Sequence, residues 1–330
     1  MKIFTVAQGS TGLEGLKRGE RDRPTAGPGQ VLVRMRAASL NFRDLAIVAG
    51  KYFRGPVEHD TIPLSDGAGE VAEVGPGVEQ FAIGDRVVAS FTQGQPPAAL
   101  GLPLDGCLTE YAVFSVDGLL RVPSHLSFEE AATLPCAGVT VWNALMHGPK
   151  SLKPGETVLA LGTGGVAIFA LQIGKLAGAR VIITSSSDEK LARAAALGAD
   201  HGINYKKTPE WEKAVLELTG GQGADHVIDT GGVGTLPRSY LSVGPGGTVS
   251  VIGVMTRPEG DLSPYPLMTK GAMVRGIFVG GREHFEGLMK AVAVNELRPV
   301  VDKAFDFESA PKAYEYLKSA KHFGKVVITI

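Results

Sequence analysis

Cysteine is almost missing from this chain of 330 residues: only Cys107 and Cys136 occur. Two thiols cannot build a disulfide framework or a four-cysteine metal lobe, and a reduced cytoplasm suits such a sequence. Long runs of lysine or arginine are missing as well, and the formal net charge is −1. Nothing therefore supplies the phosphate-neutralising surface that nucleic-acid binding requires. No apolar stretch reaches the roughly eighteen residues that a membrane span needs, and the opening MKIFTVAQGS has no signal-peptide core. The expectation is a soluble, intracellular protein with neither nucleic acid nor membrane as partner. The seven histidines form no helical pair at metal-binding spacing and no Ser-His-Asp arrangement, so a hydrolase gains no support. Internal repeats and low-complexity segments are lacking too.

What is present is an ordinary globular balance, 44% hydrophobic and 20% charged, in a chain longer than one core comfortably covers. Two domains are expected. In Gln30–Ala37, Val31, Val33, Met35 and Ala37 alternate with Leu32, Arg34 and Arg36, the period of a half-buried strand. Further strand-like pieces, Gly69–Val74, Asp85–Ala89 and Glu110–Val116, are separated by Gly/Pro turns. From about Ser127 the texture changes: a Ser-capped helix begins at Phe128, and strands then alternate with helices. The pattern predicts strands Thr157–Gly162, Arg180–Thr184, Gly202–Tyr205, Ala224–Thr230, Thr248–Gly253 and Met273–Val279. It predicts helices Gly165–Gly178, Asp188–Leu197, Thr208–Thr219 and one near His284–Val292. Strands apolar throughout, such as VLALG and VIIT, suit a parallel sheet covered on both faces. Residues 1–125 are thus assigned to a β lobe and 126–280 to an α/β domain. Residues 281–330, ending in strand Lys325–Ile330, are assigned to completing the lobe.

Gly162-x-Gly164-x-x-Ala167 follows a predicted strand and opens a predicted helix, the context that a dinucleotide fingerprint demands. Gly162 permits the tight turn, Gly164 lets the backbone approach a pyrophosphate, and Ala167 allows close helix–strand packing. Thr163, Gly165 and Val166 complete a turn whose free amides and positive helix end suit phosphate. About twenty residues on, an NAD site carries Asp or Glu at the tip of the second strand; here the tip reads Thr184-Ser185-Ser186-Ser187. Ser185 and Ser186 can bond a 2′-phosphate and Lys190 can supply charge, which points to NADP(H). The same serines also serve as a helix cap, with Lys190 in solvent, on the alternative reading.

The wider arrangement resembles the medium-chain dehydrogenase/reductase superfamily, and within it the zinc-independent quinone oxidoreductase-like branch, over nearly the whole chain. The landmarks are Ser39-Leu40-Asn41-Phe42-Arg43-Asp44, Asp66-Gly67-Ala68-Gly69-Glu70-Val71, Gly84-Asp85-Arg86-Val87 and Leu134-Pro135-Cys136-Ala137-Gly138-Val139-Thr140. Lys153-Pro154-Gly155-Glu156-Thr157-Val158 and Leu197-Gly198-Ala199-Asp200 follow. The resemblance implies an α/β fold, a GroES-like β lobe plus a Rossmann doubly wound parallel sheet domain, with an active site in the cleft between them. Zinc alcohol dehydrogenases of the superfamily carry Cys where this chain has Asn41 and His-Glu where it has Asp66-Gly67. Only Cys136 matches a ligand position, and one thiolate beside Asp66 cannot supply three ligands and an open place. No zinc is expected.

Without a Lewis acid, carbonyl polarisation falls to hydrogen-bond donors, which favours quinones and α,β-unsaturated carbonyls as hydride acceptors. By resemblance Asn41 and Tyr52 orient substrate and nicotinamide, with Tyr52 as a proton relay; the plainer reading has Asn41 capping a turn and Tyr52 covering the cleft. The resemblance further implies Thr140 near the nicotinamide phosphate and Tyr205 on the adenine side. It implies Thr230, Gly253 and Val254 along the coenzyme-facing edge, Phe278, Val279 and Gly280 by the nicotinamide, and Phe323-Gly324-Lys325 closing over the phosphates. Two other functions stand beside this one: an alcohol dehydrogenase-like enzyme acting on a simple carbonyl with a metal at Cys136, and a non-catalytic NADPH-binding protein. Substrate choice is assigned to loops Lys51–Thr61 and Phe91–Leu104. The apolar segment Ala272–Val279 predicts a homodimer through strand pairing, with a tetramer as the larger assembly.

Overall fold

The computed structural model describes residues 1–53, 55–254 and 261–330, so Arg54 of the first specificity loop lies outside the described residues. The chain divides into two compact units, Met1–Ala137 with Gly281–Ile330, and Gly138–Gly280.

In the first unit a seven-stranded sheet is built on Gln30–Leu40, longer at its C-terminal end than the alternation predicts. Asp66–Val74 pairs antiparallel on one side, followed by Arg86–Ala89 and Leu119–Arg121; Lys325–Thr329 pairs antiparallel on the other, followed in parallel by Val301–Asp306. The last strand of the chain therefore lies beside the first long one. Tyr111–Ser115 also pairs with Gln30–Leu40. Alternate residues Val31, Val33 and Met35 join Leu64, Val71, Phe114, Tyr314 and Ile328 in one core. Two helices that the periodicity did not reveal, Phe42–Val48 and Ala310–Lys318, contribute Ile47, Val48, Ala313 and Tyr314 to that core.

The border between the units falls after Ala137 instead of after residue 125. The reason is local packing. Helix Phe128–Ala132 is closed by a reciprocal cap in which Ser127 and Glu130 exchange bonds of 2.8 and 3.1 Å. It is pinned to the first unit because the Phe128 ring lies under the Arg86 and Arg36 guanidinium groups, and Glu130 pairs with Arg298 at 3.0 Å.

The second unit is a six-stranded parallel sheet in the order His201–Asn204, Arg180–Ser185, Thr157–Ala160, Ala224–Asp229, Val243–Val251, Met273–Gly276. Numbered along the chain this is 3-2-1-4-5-6, the doubly wound order, and the strand order reverses between Thr157–Ala160 and Ala224–Asp229. Strands Arg180–Ser185 and Thr157–Ala160 cross the core on apolar residues, Val181–Ile183 and Val158–Ala160, all fully buried, which is what helices on both faces require. Several predicted ends move. The helix expected from Thr208 starts at Trp211, after Pro209. Helices Val139–Met146, Leu236–Ser242 and Tyr265–Lys270 were not legible from periodicity. The strand expected to run to Val279 ends at Gly276, because Val279 turns to φ 50° and gives its carbonyl to the Asn143 amide at 2.7 Å. Among the described residues no helix is long and apolar enough to cross a membrane.

Candidate coenzyme and active sites

In the second unit the expected coenzyme residues converge on one edge. The carboxyl ends of six parallel strands place Gly162–Val166, Ser185–Ser186, Tyr205, Thr230, Gly253–Val254 and Phe278–Gly280 together, beside the order reversal where open α/β sheets bind ligands. Gly162 sits at φ 85°, a left-handed backbone that a side chain would strain. Its amide donates to Thr184 Oγ1 at 3.1 Å, which ties the turn to the second strand. Helix Gly165–Leu176 starts from Gly164 with no side-chain cap, and its first internal bond runs from Ile168 N to Gly164 O. The amides of Gly165, Val166 and Ala167 thus have no carbonyl within the helix, and the positive end of twelve aligned peptides lies behind them. Ala167 is buried at the helix–strand contact. These groups fit the pyrophosphate of a dinucleotide.

At the second strand tip the helix cap is Ser187, whose hydroxyl accepts from Lys190 N at 3.3 Å. Ser185 and Ser186 are not used as that cap. Ser185 Oγ, buried, accepts from Ser187 N at 3.3 Å and lies 3.5 Å from Thr163 Oγ1; Ser186 is half-exposed. The nearby Asp188 carboxylate is bound by Asn204 Nδ2 at 2.7 Å and Lys207 Nζ at 2.5 Å, which also hold its pKa below the usual range. Its charge is thereby answered. Tyr205 is 41% exposed and its amide bonds Ser185 O, so its ring stands at this tip.

The tip of strand Ala224–Asp229 depends on Asp229, a residue absent from the sequence-based set. The Asp229 carboxylate, fully buried, accepts from Gly231 N at 3.0 Å, Gly232 N at 2.8 Å, Thr235 Oγ1 at 2.7 Å and Ser239 Oγ at 2.6 Å. Asp-Thr-Gly-Gly after an apolar strand was the available signal, since Asp closes such turns onto its own following amides. Thr230 bonds Leu161 O at 2.9 Å, and Gly253 packs so closely that a Cβ would stand 1.7 Å from Thr230 O. Thr140 is buried in the first turn of Val139–Met146. Phe278 and Val254 are exposed and Val279 is buried.

In the first unit a buried polar cluster gathers around Asn41, which precedes helix Phe42–Val48. The Asp44 carboxylate accepts the Asn41 backbone N–H at 2.6 Å, which ties the start of the helix from its third residue, while the Asn41 side chain makes no cap hydrogen bond. Burial pushes the Asp44 carboxyl up to about 6, with Arg43 opposing. Asp66 has no exposed surface; it accepts from Ser65 Oγ at 2.7 Å and Cys136 N at 3.3 Å. Its pKa is also raised by burial, against Lys325 foremost and then the Asn41 side chain. Burial together with Asp66 pushes the Cys136 thiol well up, so it stays protonated and is a poor nucleophile.

Lys325 departs from its expected role. Its ammonium, 4% exposed, donates to Leu40 O at 2.7 Å and Asn41 Oδ1 at 2.5 Å, and stands 3.8 Å from Asp66 Oδ2. Spent on these three oxygens inside its own unit, it is not held out toward phosphates; Phe323 beside it is buried as well. Nor does zinc fit here. Asn41, Asp66 and Cys136 stand at the superfamily's ligand positions, but the Lys325 ammonium lies among them. A dication about 4 Å from an ammonium is opposed by on the order of 8 kcal/mol at an effective dielectric of about 20. Among the described residues no three His, Cys, Asp or Glu side chains are grouped to hold a metal.

Tyr52 is half-buried. Its hydroxyl oxygen accepts from Arg43 Nε at 3.2 Å, which leaves its own hydrogen to donate, and the Arg43 guanidinium also lies over its ring. Arg43 is fixed by Leu100 O at 2.8 Å and Leu102 O at 3.2 Å and lies over Phe91. Arg43 thereby holds Tyr52 in place.

Fold and site together define a dinucleotide-fold oxidoreductase with a separate β-rich lobe. The profile of the alcohol dehydrogenase GroES-like domain matches residues 27–124 and that of the zinc-binding dehydrogenase domain residues 165–294. A zinc-type alcohol dehydrogenase-like protein of Schizosaccharomyces pombe is 45% identical over 99% of both chains. An acryloyl-coenzyme A reductase of Metallosphaera sedula is 33% identical over 96% of this chain and 97% of that one. Among solved structures, an NAD-dependent alcohol dehydrogenase superposes with TM-score 0.93 at 33% identity over the whole of both chains, and a mycobacterial protein complexed with NADPH with TM-score 0.84 at 26% over the whole of both. The chain belongs to the alcohol dehydrogenase-like family of the medium-chain dehydrogenase/reductase superfamily.

Proposed function

We propose that this oxidoreductase uses NADPH, without zinc, to reduce a quinone or an α,β-unsaturated carbonyl. The observation that carries the reading is the Lys325 ammonium among Asn41, Asp66 and Cys136, where the superfamily's zinc enzymes bind their metal. NADPH, when bound, supplies the hydride. Gly162–Val166 would hold its pyrophosphate, while Ser185, Ser186 and Lys190 would take the 2′-phosphate. The strand tips at Thr230, Gly253 and Phe278–Gly280 would line the nicotinamide half.

On the substrate side, the chain offers two hydrogen-bond donors. The Asn41 amide nitrogen, buried and without a hydrogen bond in the structure, can donate to the oxygen on which enolate charge develops. Tyr52 can deliver a proton from its hydroxyl, whose lone pair is already engaged by Arg43. A conjugated acceptor needs no more, because the charge spreads over the whole system. The NADPH complex of one structural relative and the acryloyl-coenzyme A reductase among the sequence relatives support this choice of coenzyme and substrate class.

Purified protein is expected to oxidise NADPH in the presence of at least one member of a panel of quinones and enals, followed at 340 nm. Turnover confined to simple alcohols or aldehydes with stoichiometric zinc would sink the proposal. Tight NADPH binding with no turnover would instead favour a binding role. We also propose a cytoplasmic homodimer formed through the sheet edge Met273–Gly276, where Val274 is 44% exposed. Light scattering should give about twice the chain mass, and Val274→Lys should halve it; a monomeric wild type rejects the idea.

A further inference from the structure

We infer that Lys325 is the site's resident cation and a positioning residue, which fixes the Asn41 amide as a hydrogen-bond donor for a substrate oxygen. An asparagine side chain can turn over, exchanging oxygen and nitrogen, and only its partners decide which end faces which way. An ammonium carries donors and no acceptor. The Asn41 atom that meets Lys325 Nζ at 2.5 Å must therefore be the oxygen, and the nitrogen must face the other way.

That nitrogen is buried, and no acceptor completes a hydrogen bond to it, although it faces the Asp66 carboxylate closely enough to favour its charged form. A buried N–H without an acceptor costs on the order of 1–3 kcal/mol, so such a group calls for an explanation. A ligand oxygen would satisfy it. The backbone carries the arrangement: Leu40 O takes a second ammonium bond at 2.7 Å, and the Asp44 carboxylate holds the Asn41 backbone N–H, so neither end of the residue can drift. Asp66, 3.8 Å from Nζ and held by Ser65 Oγ and Cys136 N, keeps the ammonium in place. The ammonium thus occupies the place where zinc does not fit. Where a metal would polarise the substrate directly, the lysine does so through the amide it orients. The inference rests on the proposed substrate class, and its test includes a measurement that needs no turnover.

Lys325→Met, Lys325→Arg and the double variant Lys325→Met/Asp66→Asn separate the possibilities. The single Met variant leaves Asp66 buried without its cation and should melt lower; the double variant should regain most of that loss. In the double variant kcat should stay down by about 100-fold or more, on the scale of losing an oriented oxyanion donor, while the dissociation constant of NADPH, read from its fluorescence, changes less than about threefold. Lys325→Arg should recover part of kcat. Recovery of kcat along with stability would make the pair purely structural and overturn the inference. Weakened NADPH binding with kcat retained would make Lys325 a phosphate contact and overturn it equally.

The measurement without turnover uses asparagine-labelled protein, in which the Asn41 side-chain N–H signals are identified by their loss in Asn41→Ala. Added 2-cyclohexen-1-one should move these signals in the wild type and not in Lys325→Met. Unmoved wild-type signals overturn the inference. If the wild type reduced no quinone or enal while the signals still moved, the proposed reaction would fail and the donor site would stand.

Discussion

Asp229→Ala is expected to lower the melting temperature by about 10 °C and to abolish coenzyme binding, the largest loss from any single substitution at the coenzyme edge. Four donors, two backbone amides and two hydroxyls, converge on this buried carboxylate within 3.0 Å. Removing it strands all four, each at about 1–3 kcal/mol if no water replaces the acceptor. Because neighbouring losses are not additive and the two hydroxyls can turn elsewhere, about 4 kcal/mol is the expected total. Asp229→Asn should cost far less: its oxygen still accepts from Gly231 and Gly232, and the Ser239 hydroxyl can rotate to accept from the new amide. Functional loss follows from position. The turn held by Asp229 carries Thr230, and a Cβ at Gly232 would meet Gly253 O at 2.6 Å, so loosening it disturbs two strand tips. Calorimetry of the three proteins checks this, and an Ala variant within about 1 kcal/mol of wild type would show the network to be dispensable.

Ser185→Asp should turn the coenzyme preference around: NADPH weakened about 100-fold and NADH strengthened severalfold. A carboxylate near a doubly charged phosphate at a half-open strand tip is repelled by roughly 2–3 kcal/mol once solvent screening is allowed for, and the same carboxylate can accept both ribose hydroxyls of NADH. Lys190→Ala should weaken NADPH alone. Fluorescence titration with each coenzyme reads both effects. Unchanged affinity for both in Ser185→Asp would mean that the 2′-phosphate does not sit at this tip. Asp188 makes the experiment clean, since Asn204 and Lys207 already engage its carboxylate and it does not mask the new charge.

Much of the second unit was legible because its chemistry is local. A glycine turn between an apolar strand and a helix can be read from a few adjacent residues, and the structure finds Gly162 at the positive φ that such a turn needs. Helices Val139–Met146 and Leu236–Ser242 were missed because their starts, at Gly138 and Thr235, make no side-chain cap. The border after residue 125 falls short of the one after Ala137 because the change of texture at Ser127 is real, yet Phe128 and Glu130 pack on the first unit.

Lys325 is the sharpest difference. Near the end of the chain, beside glycine and a valine strand, it reads as a surface cation free to meet phosphate. Only the antiparallel pairing of Lys325–Thr329 with Gln30–Leu40 carries it, across a separation of 284 residues, to Asn41 and thence to Asp66. The sequence by itself determined the class of fold, the dinucleotide turn, and the loss of the Cys and His-Glu ligand positions, since each is a matter of which residue stands where in a short stretch. That a lysine meets Asn41 and Asp66 at those positions was decided by tertiary structure alone. A buried charge must find its partners wherever the chain brings them, and that meeting is set by strand pairing, which no local pattern records.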